Sequence, residues 1–313
     1  MSPELKALHR LLVIKLGALG DFVLALGPMA AIRRAHVDAH ITLMTTAPFV
    51  ELAEATPYFD SVIVDSRPRL ADIAGWIALR RRLRGLGFDR VYDLQTSDRT
   101  GWYFRLLGPG RRPEWSGIAR GCSHPHDNPG RDRMHTIDRQ AEQLRIAGID
   151  AVPPPDVSWA RANLRRFGLD RRYALLVPGA SSHRPAKRWP LDRYTTLARE
   201  IASRGVKPLL IGGPDERELG AALAARCPDA RNFVGETSLI ELFALARNAA
   251  AAVGNDSGPM HIAALSGAPS VVLFSSESDP ALCAPRGAKV TVIRRPELAG
   301  LAVGEVVAAM RLR

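Results

Sequence analysis

Four short stretches of this 313-residue chain gather side chains that can hold an anion or move a proton. The densest runs from Pro178 to Pro190, PGASSHRPAKRWP. It brings the hydroxyls of Ser181 and Ser182, the His183 imidazole, two guanidinium groups and the Lys187 ammonium into one turn. Such a set suits charge-assisted hydrogen bonds to phosphate oxygens. The second, NDSGPMHIAAL from Asn255, offers Asp256 or Ser257 as a helix cap, Gly258 for close approach of a ligand and Pro259 for the first helical turn. Free backbone N–H groups and the helix dipole favour an anion at that end. His261 reads equally as a ligand contact and as a side chain packed within the helix. In the third stretch, Gly212, Gly213, Pro214, Asp215 and Glu216 put acids after a glycine turn, where ribose hydroxyls are commonly taken. Asp215 would also serve as a plain helix cap. The fourth sets Lys15 and Asp21 around Gly17 and Gly20. On residue type alone, a capping role for Asp21 is the stronger reading. The glycine spacing there is wrong for a dinucleotide fingerprint, and the absence of GK[ST] excludes a P-loop.

The elements that must position these groups alternate strand and helix, the pattern of parallel α/β sheets. Strands are expected at residues 11–16, 40–45, 61–65 and 88–94, with helices at 21–36 (kinked at Pro28), 71–84 and 97–107 between and after them. From 108 to 134 the pattern dissolves into an irregular Gly-, Pro-, Arg- and His-rich region, and a helix resumes at 134–147. Three prolines at 153–155 mark a stiff linker, after which the alternation restarts. Strands follow at 173–177, 207–211, 232–234, 250–254, 270–274 and 289–293, and a last amphipathic helix at about 302–312. The chain therefore reads as two Rossmann-like domains, 1–152 and 153–313. In such sheets ligands bind at the carboxyl ends of the strands, where all four chemical stretches lie.

Composition narrows the partners. The net charge is +11, carried mostly by arginine, yet no basic run interleaved with aromatics or nucleic-acid module occurs. Residues 1–160 hold 21 basic and 18 acidic side chains, and 161–313 hold 22 and 14, so the excess sits in the half with the phosphate-type turns. Cys122, Cys227 and Cys283 are widely spaced and odd in number, as expected of reduced thiols in cytosol. The apolar stretch 11–29 is interrupted by Lys15 and Asp21, so no spanning helix is expected. His124, His126, Asp127 and His135 suggest a metal, but without a regular scaffold the loop reading outweighs it.

The motifs resemble those of the ADP-heptose:lipopolysaccharide heptosyltransferases, glycosyltransferase family 9. Lys15, Gly20, Asp21 and Pro28 match the family's first strand and turn. Ser181, Ser182, Lys187, Trp189 and Pro190 match its hydroxyl-then-Lys-x-Trp-Pro loop. Asp256, Ser257, Gly258 and His261 match its Asp-Ser/Thr-Gly-x-x-His stretch, and Ser278-Asp279-Pro280 has a counterpart. Together these span residues 11–286. Close relatives often carry hydroxyls where this chain has Gly17 and Ala18.

The resemblance implies a GT-B fold, two Rossmann-like domains facing across a cleft, with the acceptor mainly in the first and the donor in the second. The last helix is expected to pack back on the first. It implies an inverting transfer of heptose, or a related sugar, from an ADP-sugar to a lipopolysaccharide-core or other glycan acceptor, with no cofactor. The absence of an Asp-x-Asp sequence agrees with a metal-independent reaction. Asp21 is the expected base and Lys187 the charge on the diphosphate. Ser181, Ser182, Asp215, Glu216, Asp256, Ser257, Gly258 and His261 are expected at the donor, and Lys15 and Gly20 at the acceptor. The expected partners are a nucleotide sugar and an anionic glycolipid, with no nucleic acid. The expected location is cytoplasmic, with peripheral contact at the inner membrane's cytoplasmic face left open. Two other classes compete: a catalytically silent nucleotide-binding module, and an NAD(P)-dependent oxidoreductase.

Overall fold

The computed structural model describes residues 8–313 apart from 109, 111, 170, 171 and 182. The chain divides into two units, Met1–Asp156 and Val157–Arg313. The prolines at 153–155 thus end the first unit. Gly27 makes room for them, since a Cβ there would lie 2.7 Å from the Pro153 carbonyl oxygen. The Tyr58 hydroxyl donates to the Asp156 carbonyl at 3.1 Å.

In the first unit the strands are β1 (Arg10–Ile14), β2 (His40–Thr45), β3 (Ser61–Val64), β4 (Arg90–Asp93), β5 (Glu114–Gly117) and β6 (His124–Pro125). The helices are α1 (Leu19–Leu24), α2 (Leu26–Ala35), α3 (Val50–Ala55), α4 (Ile73–Gly85), α5 (Asp98–Leu106) and α6 (Thr136–Ile146). In the second unit the strands are β7 (Tyr173–Val177), β8 (Lys207–Leu210), β9 (Arg231–Asn232), β10 (Ala251–Asn255), β11 (Ser270–Phe274) and β12 (Val290–Arg294). Its helices are α7 (Leu191–Ser203), α8 (Arg217–Arg226), α9 (Leu239–Asn248), α10 (Gly258–Leu265), α11 (Pro280–Cys283) and α12 (Val303–Ala309).

Both sheets are parallel and share one doubly wound order: β3-β2-β1-β4-β5-β6, and β12-β11-β10-β7-β8-β9. Helices cover both faces of such sheets, so central strands are apolar along their whole length. Accordingly β7, β10 and β11 are buried throughout, whereas the edge strands β3 and β12 are partly exposed. The order reverses between β1 and β4 and again between β7 and β10. At these two points the loops diverge and leave a crevice for ligand.

Three sequence expectations change. The irregular region 108–134 holds β5 and β6, which complete the first sheet. They are four and two residues long, too short for a periodic signal. The helix expected at 21–36 is two helices broken at Ala25, and Pro28 sits in the first turn of α2, where its missing N–H costs nothing. The last helix, expected at about 302–312, spans Val303–Ala309; it buries Val306 in the second unit's core and packs on α7. At seven residues it is only about 10 Å long. Among the described residues no helix is long and apolar enough to cross a membrane.

Candidate active site

The crevice between β7 and β10 holds most of the predicted donor residues. Lys187 closes a short 3-10 turn after β7, and Asp256 follows the last residue of β10. The Lys187 ammonium lies 2.5 Å from Asp256 Oδ2, and the Ser278 hydroxyl donates to the same oxygen at 2.7 Å. All three side chains are buried or half-buried. A charged pair with so little water around it persists only when both partners are held in place.

Asn255, absent from the sequence expectations, does much of that holding. Its buried amide oxygen accepts from the Trp189 backbone N–H at 3.0 Å and the Tyr194 hydroxyl at 3.1 Å. Its amide nitrogen donates to the Pro178 carbonyl at 2.8 Å. One side chain thereby ties the Pro178–Pro190 turn to the end of β10. Trp189 anchors the turn from the other side, buried with its indole N–H donating to the Leu301 carbonyl at 3.1 Å. Gly254 permits the close passage of β10 by β7, since a Cβ there would meet Val177 Cβ at 2.6 Å. The signal for Asn255 was present as a polar residue ending an apolar strand, but its role needed the neighbouring turn.

Ser257 is the N-cap of α10 in backbone terms, yet its side chain makes no capping bond. Its hydroxyl oxygen is buried and lacks a hydrogen-bond partner among the described residues. Gly258 begins the helix; Pro259 has no N–H and the Met260 N–H donates to the Ser257 carbonyl at 3.1 Å, so in the first turn the Gly258 N–H is the one left for a ligand. His261 lies buried in the second turn of α10. Ser181 is exposed in the turn after β7, and Ser182 lies outside the described residues.

The two candidate ribose acids part company. Glu216 is half-buried, and its carboxylate fills the space above two glycines: a Cβ on Gly179 would sit 1.7 Å from Glu216 Oε1, and one on Gly212 2.4 Å from Oε2. The Gly213 N–H donates to Glu216 Oε2 at 2.9 Å. Burial pushes its pKa upward, against the pull of the Gly213 bond and the Arg188 charge. Asp215 points to solvent.

The crevice between β1 and β4 holds the remaining expectations. Asp21 is not a cap. Ala18 occupies that position, and Asp21 lies in the first turn of α1, half-buried, its carboxylate without a hydrogen bond among the described residues. Lys15 is buried, and its ammonium donates to the Leu94 carbonyl at 3.2 Å. Burial lowers its pKa; Asp21 and Asp93 oppose this, while the Arg139 charge adds to it. Gly20, half-buried, sits between them in α1. Gly17 has φ +123°, and a Cβ there would meet the Phe49 ring at 2.8 Å, so a side chain is strained at this position.

Asp93, which sequence reasoning passed over, is fully buried at the end of β4. It accepts from the backbone N–H groups of Thr96 and Gln95 at 2.9 and 3.1 Å. Burial raises its pKa to about 6, even though hydrogen bonds from Thr100, Thr96 and Gln95 and the Lys15 charge pull downward. An acid closing an apolar strand was its only sequence signal; that the strand order reverses there is a matter of the sheet. The histidines at 124, 126 and 135 serve separate contacts: His124 meets Ser123, buried His126 lies 3.4 Å from Glu142, and His135 caps α6. Among the described residues no three His, Cys, Asp or Glu side chains converge as a metal site.

The family model for glycosyltransferase family 9 (heptosyltransferase) matches residues 76–304. Lipopolysaccharide heptosyltransferase 2 of Escherichia coli (strain K12) is 26% identical over 315 aligned positions, spanning 91% of this chain and 88% of that protein. A family 9 glycosyltransferase structure from Veillonella parvula superposes with TM-score 0.82 at 22% identity, covering 96% of this chain and 95% of the other. ADP-heptose lps heptosyltransferase II of E. coli superposes with TM-score 0.77 at 24% identity, covering 96% and 97%. The E. coli heptosyltransferase WaaC with ADP gives TM-score 0.77 at 21% identity, covering 96% and 98%. These structures share the fold, two Rossmann-like sheets of GT-B type. By sequence, fold and the order of its motifs, the chain belongs to glycosyltransferase family 9, the heptosyltransferases.

Proposed function

We propose that this enzyme transfers heptose, or a closely related sugar, from an ADP-sugar to a hydroxyl of a lipopolysaccharide core or other glycan, with inversion and without a metal. The observation that carries the donor assignment is the Lys187–Asp256–Ser278 cluster beside the start of α10. It offers a cation, a Ser257 hydroxyl without a partner among the described residues, and the Gly258 N–H at the positive end of the helix, where a diphosphate can bind. The relatives' names add support, since one such structure holds ADP and another ADP-2-deoxy-2-fluoro heptose.

In this reading Asp21 takes the proton from the acceptor hydroxyl. The acceptor oxygen attacks the anomeric carbon from the face opposite the diphosphate. The bond from that carbon to the diphosphate oxygen breaks, and ADP leaves with the bonding electrons. Lys187 and the Gly258 N–H at the start of α10 offset the charge that grows on the leaving diphosphate. For Lys187 to do so, it exchanges part of its contact with Asp256 for a phosphate oxygen. Glu216 or Asp215 takes the ribose hydroxyls; the lie of the Glu216 carboxylate over Gly179 and Gly212 favours Glu216. Ser181 and Ser182 complete the donor turn. His261 supports the start of α10 from within the helix. Lys15 and Gly20 border the acceptor crevice. The enzyme works in the cytoplasm, at the inner leaflet that presents its glycolipid.

Calorimetric titration with ADP, UDP, GDP and NADH, with and without Mg²⁺, tests the donor. Preferential, Mg²⁺-independent ADP binding is expected. A preference for UDP or GDP would keep a GT-B transferase and discard the ADP-sugar. ADP binding without transfer to any core acceptor would return the silent-module reading.

A further inference from the structure

Four of the large apolar side chains exposed on the molecule gather at one place. Leu70 is 84% exposed, Ile73 72%, Trp102 52% and Ile77 46%. Leu70 lies in the lead-in to α4, Ile73 and Ile77 on α4, and Trp102 on α5. The two helices pack side by side: the Trp76 ring meets Tyr103 edge-on at 6.0 Å, and Arg80 donates to the Leu106 carbonyl at 3.0 Å. The lead-in is pinned, with the Trp76 indole N–H donating to the Arg69 carbonyl at 2.9 Å and Arg99 donating to the Pro68 carbonyl at 3.4 Å. Leu70 is therefore held outward on an anchored loop.

Charge follows the same surface. Residues 66–84 contain six arginines and one aspartate, although residues 1–160 as a whole are nearly balanced. That aspartate, Asp72, is occupied in capping α4 through the Gly75 N–H. On α4, Ile73, Ile77 and Arg81 recur at four-residue spacing along the outward face, and Arg84 follows one turn on. Leu79 and Leu83 of the same helix point into the core. The Arg105 guanidinium lies 4.9 Å from the Trp102 ring centroid. Apolar side chains beside arginines, with an indole between, match the two layers of a bilayer interface: acyl boundary and anionic headgroup.

We propose that α4, its lead-in and Trp102 form a docking surface for an anionic lipid bilayer. Leu70, Ile73, Ile77 and Trp102 enter the headgroup boundary, and Arg69, Arg81 and Arg84 meet lipid phosphates. The lead-in and the start of α5 follow β3 and β4 at the end of the sheet where the acceptor crevice opens. Docking there would bring a membrane-borne acceptor to that end; this consequence rests on the glycolipid reading above, while the lipid contact does not.

Sedimentation of the full chain with vesicles of phosphatidylglycerol and phosphatidylethanolamine, against phosphatidylcholine vesicles, tests the surface. Preferential binding to the anionic vesicles, weakened by high salt, is expected. Joint replacement Leu70→Ser, Ile73→Ser and Ile77→Ser, and separately Arg81→Glu with Arg84→Glu, should each cut that binding by about tenfold or more. Circular dichroism and ADP binding should match the unaltered chain. Equal binding by the variants, equal binding to neutral vesicles, or no vesicle binding by the unaltered chain would overturn the proposal. So would a dimer in velocity sedimentation that the variants abolish, because the patch would then be a contact between copies. Transfer to a deacylated acceptor should survive in both variants; its absence in the unaltered chain would instead count against the glycolipid reading.

Discussion

The Lys187 ammonium and the Asp256 carboxylate face each other at 2.5 Å, joining the turn after β7 to the end of β10. A cation already paired in this way is held in place for an incoming phosphate. Lys187→Ala should weaken ADP binding about 10- to 100-fold, the usual worth of one charge-assisted contact. Asp256→Asn should also weaken it, because Lys187 loses its anchor. Calorimetry on both variants checks this, and unchanged affinity in Lys187→Ala would remove it from the diphosphate.

Asp21 sits in the first turn of α1 with a carboxylate that makes no hydrogen bond among the described residues, so its proton-accepting capacity is unspent. Replacing it with Ala should lower kcat by at least about 100-fold while leaving ADP affinity intact. Steady-state kinetics paired with ADP titration separates the two effects. Near-normal turnover would sink the assignment.

Gly179→Ala asks whether the Glu216 carboxylate must lie where it does. The added methyl would meet Glu216 Oε1 at 1.7 Å, so the carboxylate must swing away. Nucleotide affinity should drop with little change in melting temperature, since the conflict is with the end of one side chain. Gly254→Ala is the contrasting case. Its methyl would meet Val177 Cβ at 2.6 Å within the sheet, and stability should fall by about 1–3 kcal/mol. Thermal melts of the two variants, run together, check both expectations.

Two buried groups make opposite demands on pH. Asp93, raised to about 6 from 3.8, binds a proton more readily folded than unfolded. Its contribution is fully present below pH 3.8 and is lost as pH rises through 6. His36, lowered to about 4 from 6.5 by burial and by Arg90 and Arg33, does the reverse. Its contribution is present above pH 6.5 and is lost as pH falls through 4. The unaltered chain should therefore show a shallow stability profile between these limits. Asp93→Asn should gain on it by about 1–3 kcal/mol between pH 4 and pH 7, measured by urea unfolding. His36→Gln should gain on it by about 1–2 kcal/mol toward low pH, after allowance for solvent screening. Profiles parallel to the unaltered chain would show that neither group titrates in this range.

The alternation of strands and helices, the two α/β halves and the four chemical turns are all legible in the sequence. Each is local: an apolar run, a Gly or Pro stop, a cluster of polar types within one turn. The sequence alone thus determined a two-sheet α/β protein and pointed to phosphate-type chemistry in its second half. Tertiary structure decided the rest, because the remaining facts depend on residues far apart in the chain. Asn255 clasps Trp189 across 66 positions, and Ser278 shares an oxygen of Asp256 with Lys187. Strands β5 and β6, too short to carry a pattern, exist because the open edge of β4 supplies hydrogen bonds to β5, and β5 in turn supplies them to β6. The Glu216 carboxylate lies over Gly179 and Gly212, 37 and 4 residues away in the chain, because neither glycine has a side chain to occupy that space. Asp93 is perturbed because packing from every side removes its water, a property of the assembled core that no stretch of sequence carries.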